Sequence, residues 1–235
     1  MQSTQSISVK NLSQSAQTGD YWLISAELLE PLNSIDAFYF LDKQPEQTLS
    51  LFHYQFPKLQ LLSQQPLTDN LLNSETLQLT SKLNDQVILK SEQPTLLLAS
   101  DLGIGPLFYY AKQVKTNSQN NLALLHASAS FPFAVKPAQF MLENFPHEAI
   151  GACSLLEDWK IANRLASDIG LPGCFEGSLV DLFDYWLSTE SQHHLKEESR
   201  VHWQVLSFLP ERCNQQLKER VKPYPWLSLQ TINTP

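Results

Sequence analysis

Charge is scarce in this chain of 235 residues, of which only 17% are charged, with 16 Lys plus Arg against 24 Asp plus Glu. The net charge of −8 and the sequence pI near 5.2 come with no basic stripe, which excludes a role built on neutralising nucleic-acid phosphates. Long apolar runs are missing as well, and none approaches the roughly 20 residues of a membrane helix. The opening stretch MQSTQSISVKNLSQSA has neither the cationic start nor the continuous apolar core of a secretory signal. The expectation is a cytoplasmic protein without a membrane span. Cysteines number three, Cys153, Cys174 and Cys213, an odd count at wide spacing that suggests neither a disulfide framework nor a CxxC metal site. They are expected to be reduced and structural.

A hydrophobic content of 43% is ample for a packed core. The length suits one large domain or two of about 100 to 130 residues each. Up to about residue 90 the chain shows short apolar or alternating runs broken by polar turns: ISVKNL, YWLISAEL, DAFYFL, TLSLFHY, KLQLLS, ETLQL and QVIL. Six or seven short strands without a clear helix predict a barrel or sandwich. The texture changes at the polar, proline-ended stretch Ser91-Glu92-Gln93-Pro94. This predicts a β domain over 1–92 and an α/β domain over 93–235.

Beyond that linker, Thr95 to Ala99 reads as a buried strand, followed by a turn with Gly103 and Gly105 and a helix opening near Pro106. Leu122 to Leu125 reads as a second buried strand, giving a βαβ unit, and Ala149 to Cys153 as a third. Around 178–188 the helix signal is strong. Leu179, Leu182, Phe183, Trp186 and Leu187 share a face, and Ser178 with Asp181 resembles a capping box. A last strand, Trp203 to Phe208, precedes a polar helix near Pro210.

A glycine turn feeding a helix N-terminus lets backbone N–H groups approach a pyrophosphate, although two glycines alone fit an ordinary βα turn equally well. The whole segment Ala99-Ser100-Asp101-Leu102-Gly103-Ile104-Gly105-Pro106 resembles the AGGxGxxP turn that opens the nicotinamide domain of ferredoxin reductases. From Phe131 through Leu187, the stretches FPFAVKPAQFM, LLEDWKIANRLAS and GLPGCFEGSLVDLFDYWL are similar to the electron-transfer subunit of dihydroorotate dehydrogenase and its bacterial relatives. That resemblance covers most of residues 95–210, while the first 90 match only in strand pattern.

The resemblance implies a ferredoxin-reductase-like β-barrel for FAD and a Rossmann-like parallel α/β domain for NAD(P). In many such proteins a 2Fe–2S cluster follows near the C-terminus. It carries flavin contacts onto Ser50 and Thr68, and dinucleotide contacts onto Gly103, Ile104, Gly105 and Pro106. Each site departs from pattern. The flavin motif RxxS reads Gln47-Thr48-Leu49-Ser50, without the arginine that pairs a phosphate bidentately. The later phosphate stretch reads Pro66-Leu67-Thr68-Asp69 and the glycine-rich turn Lys82-Leu83-Asn84-Asp85, both without glycine.

In the nicotinamide turn, Ser100 and Asp101 replace glycines. Two unit charges about 5 Å apart at an effective dielectric of about 20 repel by roughly 3 kcal/mol, on the order of a hundredfold in affinity. NAD(P)H binding is therefore expected to be weak or absent. The terminal CGPxxM motif reads Phe208-Leu209-Pro210-Glu211-Arg212-Cys213, so a phenylalanine stands where the family has a cysteine beside the nicotinamide. No cysteine follows Cys213, which leaves an iron–sulfur cluster without ligands in the tail.

Weaker candidates remain. His193-His194 is a metal pair or a solvated loop. Glu157-Asp158 is a carboxylate pair or a structural stretch, and Cys174 a reactive thiol or a small buried hydrophobe. Phe108, Tyr109 and Tyr110 read as helix packing, with one ring able to face the cleft. Two functions stay open: a flavin-linked oxidoreductase passing electrons to a partner protein, and a non-catalytic descendant that binds a protein partner.

Overall fold

The alternating runs at the start of the chain pair antiparallel and close on themselves. In this computed structural model, which describes residues 4–42, 44–82, 87–115, 121–143, 145–196 and 201–235, they form β1 (Thr4–Ala16), β2 (Trp22–Leu28), β3 (Phe38–Leu41), β4 (Gln44–Gln55), β5 (Lys58–Ser63) and β6 (Leu77–Lys82). The barrel order is β1-β2-β5-β4-β3-β6, and β6 returns to β1 with Leu77 opposite Val9 and Lys82 opposite Thr4. One side of each strand fills the interior: Val9, Ile24, Tyr39, Leu49, Leu51, Leu59 and Leu79 are almost wholly buried there.

Two expectations are corrected in this half. A one-turn helix, α1 (Asp69–Leu72), lies between β5 and β6. The run QVIL is not a strand over its described residues. Ile88 exchanges hydrogen bonds with the Gln230 side chain, and the Lys90 N–H and carbonyl are both bonded by the Gln204 amide, so glutamines replace ladder partners.

The second half is a parallel sheet in the order β12-β11-β8-β7-β13-β14. Its elements are β7 (Thr95–Ser100), α2 (Ile104–Val114), β8 (Leu122–Ala127), β9 (Lys136–Pro137), β10 (Gly151–Ala152), α3 (Ser154–Asp158), β11 (Ala162–Ser167), β12 (Phe175–Glu176), α4 (Leu179–Lys196), β13 (Trp203–Pro210), α5 (Glu211–Val221) and β14 (Leu227–Thr234). Every residue of β7 and β8 is buried, as strands covered on both faces must be. Ile104, Leu107, Phe108 and Leu156 of α2 and α3 share one core with one face of the sheet. Leu182, Phe183, Trp186 and Leu217 of α4 and α5 share another core with the opposite face.

The capping box forms as read: the Asp181 N–H donates to Ser178 Oγ at 3.2 Å, and the Ser178 N–H donates back to the Asp181 carboxylate at 3.3 Å. The third strand does not form as read. Gly151–Ala152 pairs with Lys136–Pro137 in a separate two-stranded ribbon, and the main sheet takes Ala162–Ser167 in its place. Buried polar residues disguise that strand. Asn163 and Arg164 are 0% and 5% exposed, and their hydrogen bonds go to Cys153, Ile161, Phe140 and the Asn163 carbonyl.

The barrel and sheet meet along α2 and β4. Phe52 of β4 and Phe108 of α2 pack edge to face at 5.5 Å, and Phe108 continues to Phe133 at 6.1 Å and Trp159 at 6.4 Å. On the barrel side Gly19, at φ +56°, lies so close to Ser130 and the Phe131 carbonyl that no Cβ fits there.

Candidate cofactor cleft

In a parallel sheet, ligands bind beyond the carboxyl ends of the strands, where the turns after β7, β8, β11 and β13 converge. The β7 turn is a 3-10 turn over Asp101–Gly103 that runs into α2, with Pro106 inside the first helical turn. Gly103, Ile104, Gly105 and Pro106 are all buried, as is Ser50 on β4, whereas Thr68 is exposed just before α1.

What covers the two glycines is the chain itself. A Cβ on Gly103 would collide with the Phe208 carbonyl, and one on Gly105 would sit 2.5 Å from Ser50 Oγ and 3.0 Å from the Leu51 carbonyl. The glycines therefore let β13 and β4 approach the head of α2. Ser50 and Gly105, read as parts of two different cofactor sites, are brought into direct contact. Ser50 also donates to the Leu62 carbonyl at 3.4 Å.

Gln47, which stands where the resembling motif has arginine, is 6% exposed. Its amide donates to Ser63 Oγ at 3.1 Å and to the Gln65 carbonyl at 2.8 Å. Asp101 is held at φ +48°, a backbone region that favours glycine, and its carboxylate accepts from the Ser128 N–H at 3.0 Å and Ser128 Oγ at 2.8 Å. This ties the turn after β7 to the turn after β8. Phe208 is fully buried and stacks on Tyr110 of α2 at 5.5 Å.

Tyr21, just before β2, is 3% exposed and accepts a hydrogen bond from Gln64. Burial pushes its phenol up to about 12, with a further push from the negative charge of Asp101 across the domain junction. The glycine-rich turn expected at Lys82 to Asp85 lies, at 83–85, outside the described residues.

Sequence reasoning missed a pair on this edge. His126, the penultimate residue of β8, and Asp168, just after β11, approach to 3.2 Å between Nε2 and Oδ2, without hydrogen-bond geometry. A histidine ending the apolar run LALLHA was the available signal. The other candidates lie elsewhere. Glu157 is 2% exposed and receives the Gln139 N–H at 2.7 Å and the Phe140 N–H at 3.4 Å, holding the segment before β10. The His194 ring stacks on Trp226 at 4.0 Å. Cys174 is buried beside Leu171 and Pro172, and burial pushes its thiol up to about 11.

No protein-family model matches the chain, and no curated protein matches it. Among solved structures, the ferredoxin reductase in carbazole 1,9a-dioxygenase superposes with a TM-score of 0.64 at 10% identity, over 97% of this chain and 69% of that one. A flavohemoglobin from Malassezia yamatoensis with bound FAD and heme gives 0.59 at 10% identity, over 96% and 60%. The flavohem-like FAD/NAD-binding domain of nitric oxide dioxygenase from Vibrio cholerae gives 0.57 at 10% identity, over 97% of this chain and 99% of that domain. The closed barrel followed by a parallel α/β sheet is thus the fold of ferredoxin-reductase-like FAD/NAD-binding domains.

Proposed function

We propose that this chain is a ferredoxin-reductase-like protein with weakened cofactor sites, a pseudo-reductase that uses the scaffold of flavin-linked electron transfer as a protein-binding or regulatory module. The observation that carries this reading is the burial of Ser50, Gly103, Ile104, Gly105 and Pro106 against the chain's own atoms. A dinucleotide needs exposed backbone N–H groups at this turn. Here the glycines serve domain packing, and Asp101 spans to Ser128. The residues present do not fit a nicotinamide dinucleotide.

The fit to a flavin is little better. Gln47 is engaged within the barrel, and Asp69 opens α1 beside Thr68, placing a carboxylate where the resemblance puts a phosphate. We adopt 1–92 as the barrel unit and 93–235 as the α/β unit. We place the chain near the dihydroorotate dehydrogenase electron-transfer subunit on the strength of its 131–187 stretch. A second reading, an oxidoreductase that retains FAD and hands electrons to a protein partner, draws on the exposed Thr68 and on neighbours of this fold that bind FAD.

The test is the visible spectrum of the purified protein together with calorimetric titration of FAD, NADH and NADPH. The pseudo-reductase reading expects colourless protein, no flavin uptake, and nicotinamide affinity weaker than about millimolar. Asp101→Gly is expected to improve nicotinamide affinity more than any other single change. Yellow protein that releases FAD on denaturation, or micromolar NADH binding by the wild type, would establish the second reading.

A further inference from the structure

We propose that the end of the α/β domain opposite the cofactor cleft holds a binding site for a small, flat, uncharged ring compound. A cavity of about 410 Å³ opens there, against the amino ends of three sheet strands: Leu122 begins β8, Ala162 begins β11 and Trp203 begins β13. Strands of six residues at about 3.3 Å each separate it from the cleft by roughly 20 Å. It is independent of the reading given above for that cleft.

The walls are aromatic and aliphatic. Phe140 lines one side, and Trp186 and Trp203, packed edge to face at 5.2 Å, line another. The buried polar side chains of the lining are already engaged: the Asn121 amide accepts the Thr95 N–H at 2.9 Å and donates to the Val114 carbonyl at 3.0 Å, and the Thr189 hydroxyl donates to the Tyr185 carbonyl at 3.2 Å. The Phe140 wall is fixed from behind. Buried Arg164 donates to its carbonyl at 2.7 Å while buried Glu157 receives its N–H and that of Gln139.

A preformed, largely apolar cavity of this size with a few polar groups in its lining is the general form of a small-molecule site. Indole and phenyl walls favour a ring that meets them edge to face or offset. The lining carries charges of both signs, Lys160 against Glu143 and Glu190, so an anion meets two carboxylates and a cation meets an ammonium, and no field of one sign selects an ion. That assigns an uncharged occupant with a hydrogen-bonding substituent.

The experiment is ¹⁵N NMR of the indole N–H groups during titration of the full chain with 2-naphthol and, separately, with 2-naphthoate. Saturable shifts are expected for Trp186 and Trp203 with 2-naphthol, with a Kd on the order of 100 µM, while Trp22 stays unmoved. Ala162→Trp, which fills the cavity, should weaken binding at least about tenfold. Phe140→Ala, which removes a wall without adding bulk, should weaken it about fivefold and serves where the filled variant does not fold. The proposal is overturned if neither indole shifts, if both variants bind as the wild type does, or if 2-naphthoate binds about tenfold tighter than 2-naphthol.

Discussion

At the scale of single residues, Gly103 and Gly105 illustrate how one local pattern serves two physical ends. A glycine pair before a helix is legible in sequence as an opening for phosphate, but which atoms occupy the space beside each Cα is a tertiary fact. Here it is Phe208 from β13 and Ser50 from β4, more than a hundred and about fifty residues away in sequence. The two alanine substitutions should therefore differ. Gly103→Ala meets a backbone carbonyl of a central strand and should destabilise by about 3 kcal/mol or more, with no side-chain truncation able to relieve it. Gly105→Ala meets chiefly a serine side chain, should cost about 1 to 2 kcal/mol, and should be partly rescued by Ser50→Gly. Urea denaturation of the two single variants and the double variant reads these differences. Equal losses in the two alanine variants, or no coupling with position 50, would mean that the packing assigned to this turn is wrong. Asp101 was legible as a misplaced charge, yet its partner Ser128 was not, because nothing local to the turn points across to the end of β8.

Elements were legible where their pattern was one-sided and hidden where polar residues went inward. The barrel strands, β7, β8, β13 and the capped helix α4 follow from alternation, unbroken apolar runs and a capping box. By contrast β11 reads ANRLAS, and its Asn163 and Arg164 look like surface residues until their hydrogen bonds are seen. The final strand β14, LSLQTINT, escaped for a related reason. It lies at an edge of the sheet, with most of its residues only partly buried, so it carries no continuous apolar signal. Asn163 joins β11 to the residue ahead of α3, accepting the Cys153 N–H at 2.7 Å and donating to the Cys153 carbonyl at 3.2 Å. Asn163→Ala should leave that buried N–H unpaired and destabilise by about 2 to 4 kcal/mol. Asn163→Asp restores an acceptor for it but not the donor for the carbonyl. Thermal unfolding that places the alanine variant within about 0.5 kcal/mol of wild type would contradict this role.

For the whole molecule, the succession of a barrel and a parallel sheet was legible from short alternating runs that give way to unbroken apolar ones, whereas the closeness of the junction was not. Phe52, Phe108, Phe133 and Trp159 build it from segments that separately read as strand, helix and loop. Buried thiols and phenols, Cys174 among them, make the response of this assembly to pH predictable, and Cys153 and Tyr21 illustrate it. Cys153, 1% exposed in the core under α3, has its thiol pushed from 9.0 to about 11 by burial, and Tyr21 at the junction has its phenol pushed from 10.0 to about 12. In both, the folded state holds its proton to higher pH than the unfolded chain does. Their contribution is therefore complete below about pH 9, where both states are protonated. It is lost as pH rises from 9 toward 11 for the thiol and from 10 toward 12 for the phenol, because the unfolded state alone ionises. The expected loss is on the order of 2 kcal/mol for each group, steepest in the interval where both act. Urea midpoints measured from pH 7 to pH 11 should be flat to about pH 9 and then fall, and Cys153→Ala should flatten the first part of the decline. Tyr21→Phe should flatten the later part while lowering stability slightly at every pH, since it also removes the acceptor of the Gln64 hydrogen bond. If the alkaline decline is unchanged in both variants, the groups that unfold this protein at high pH are others, and the junction around Tyr21 is wetter than its burial states.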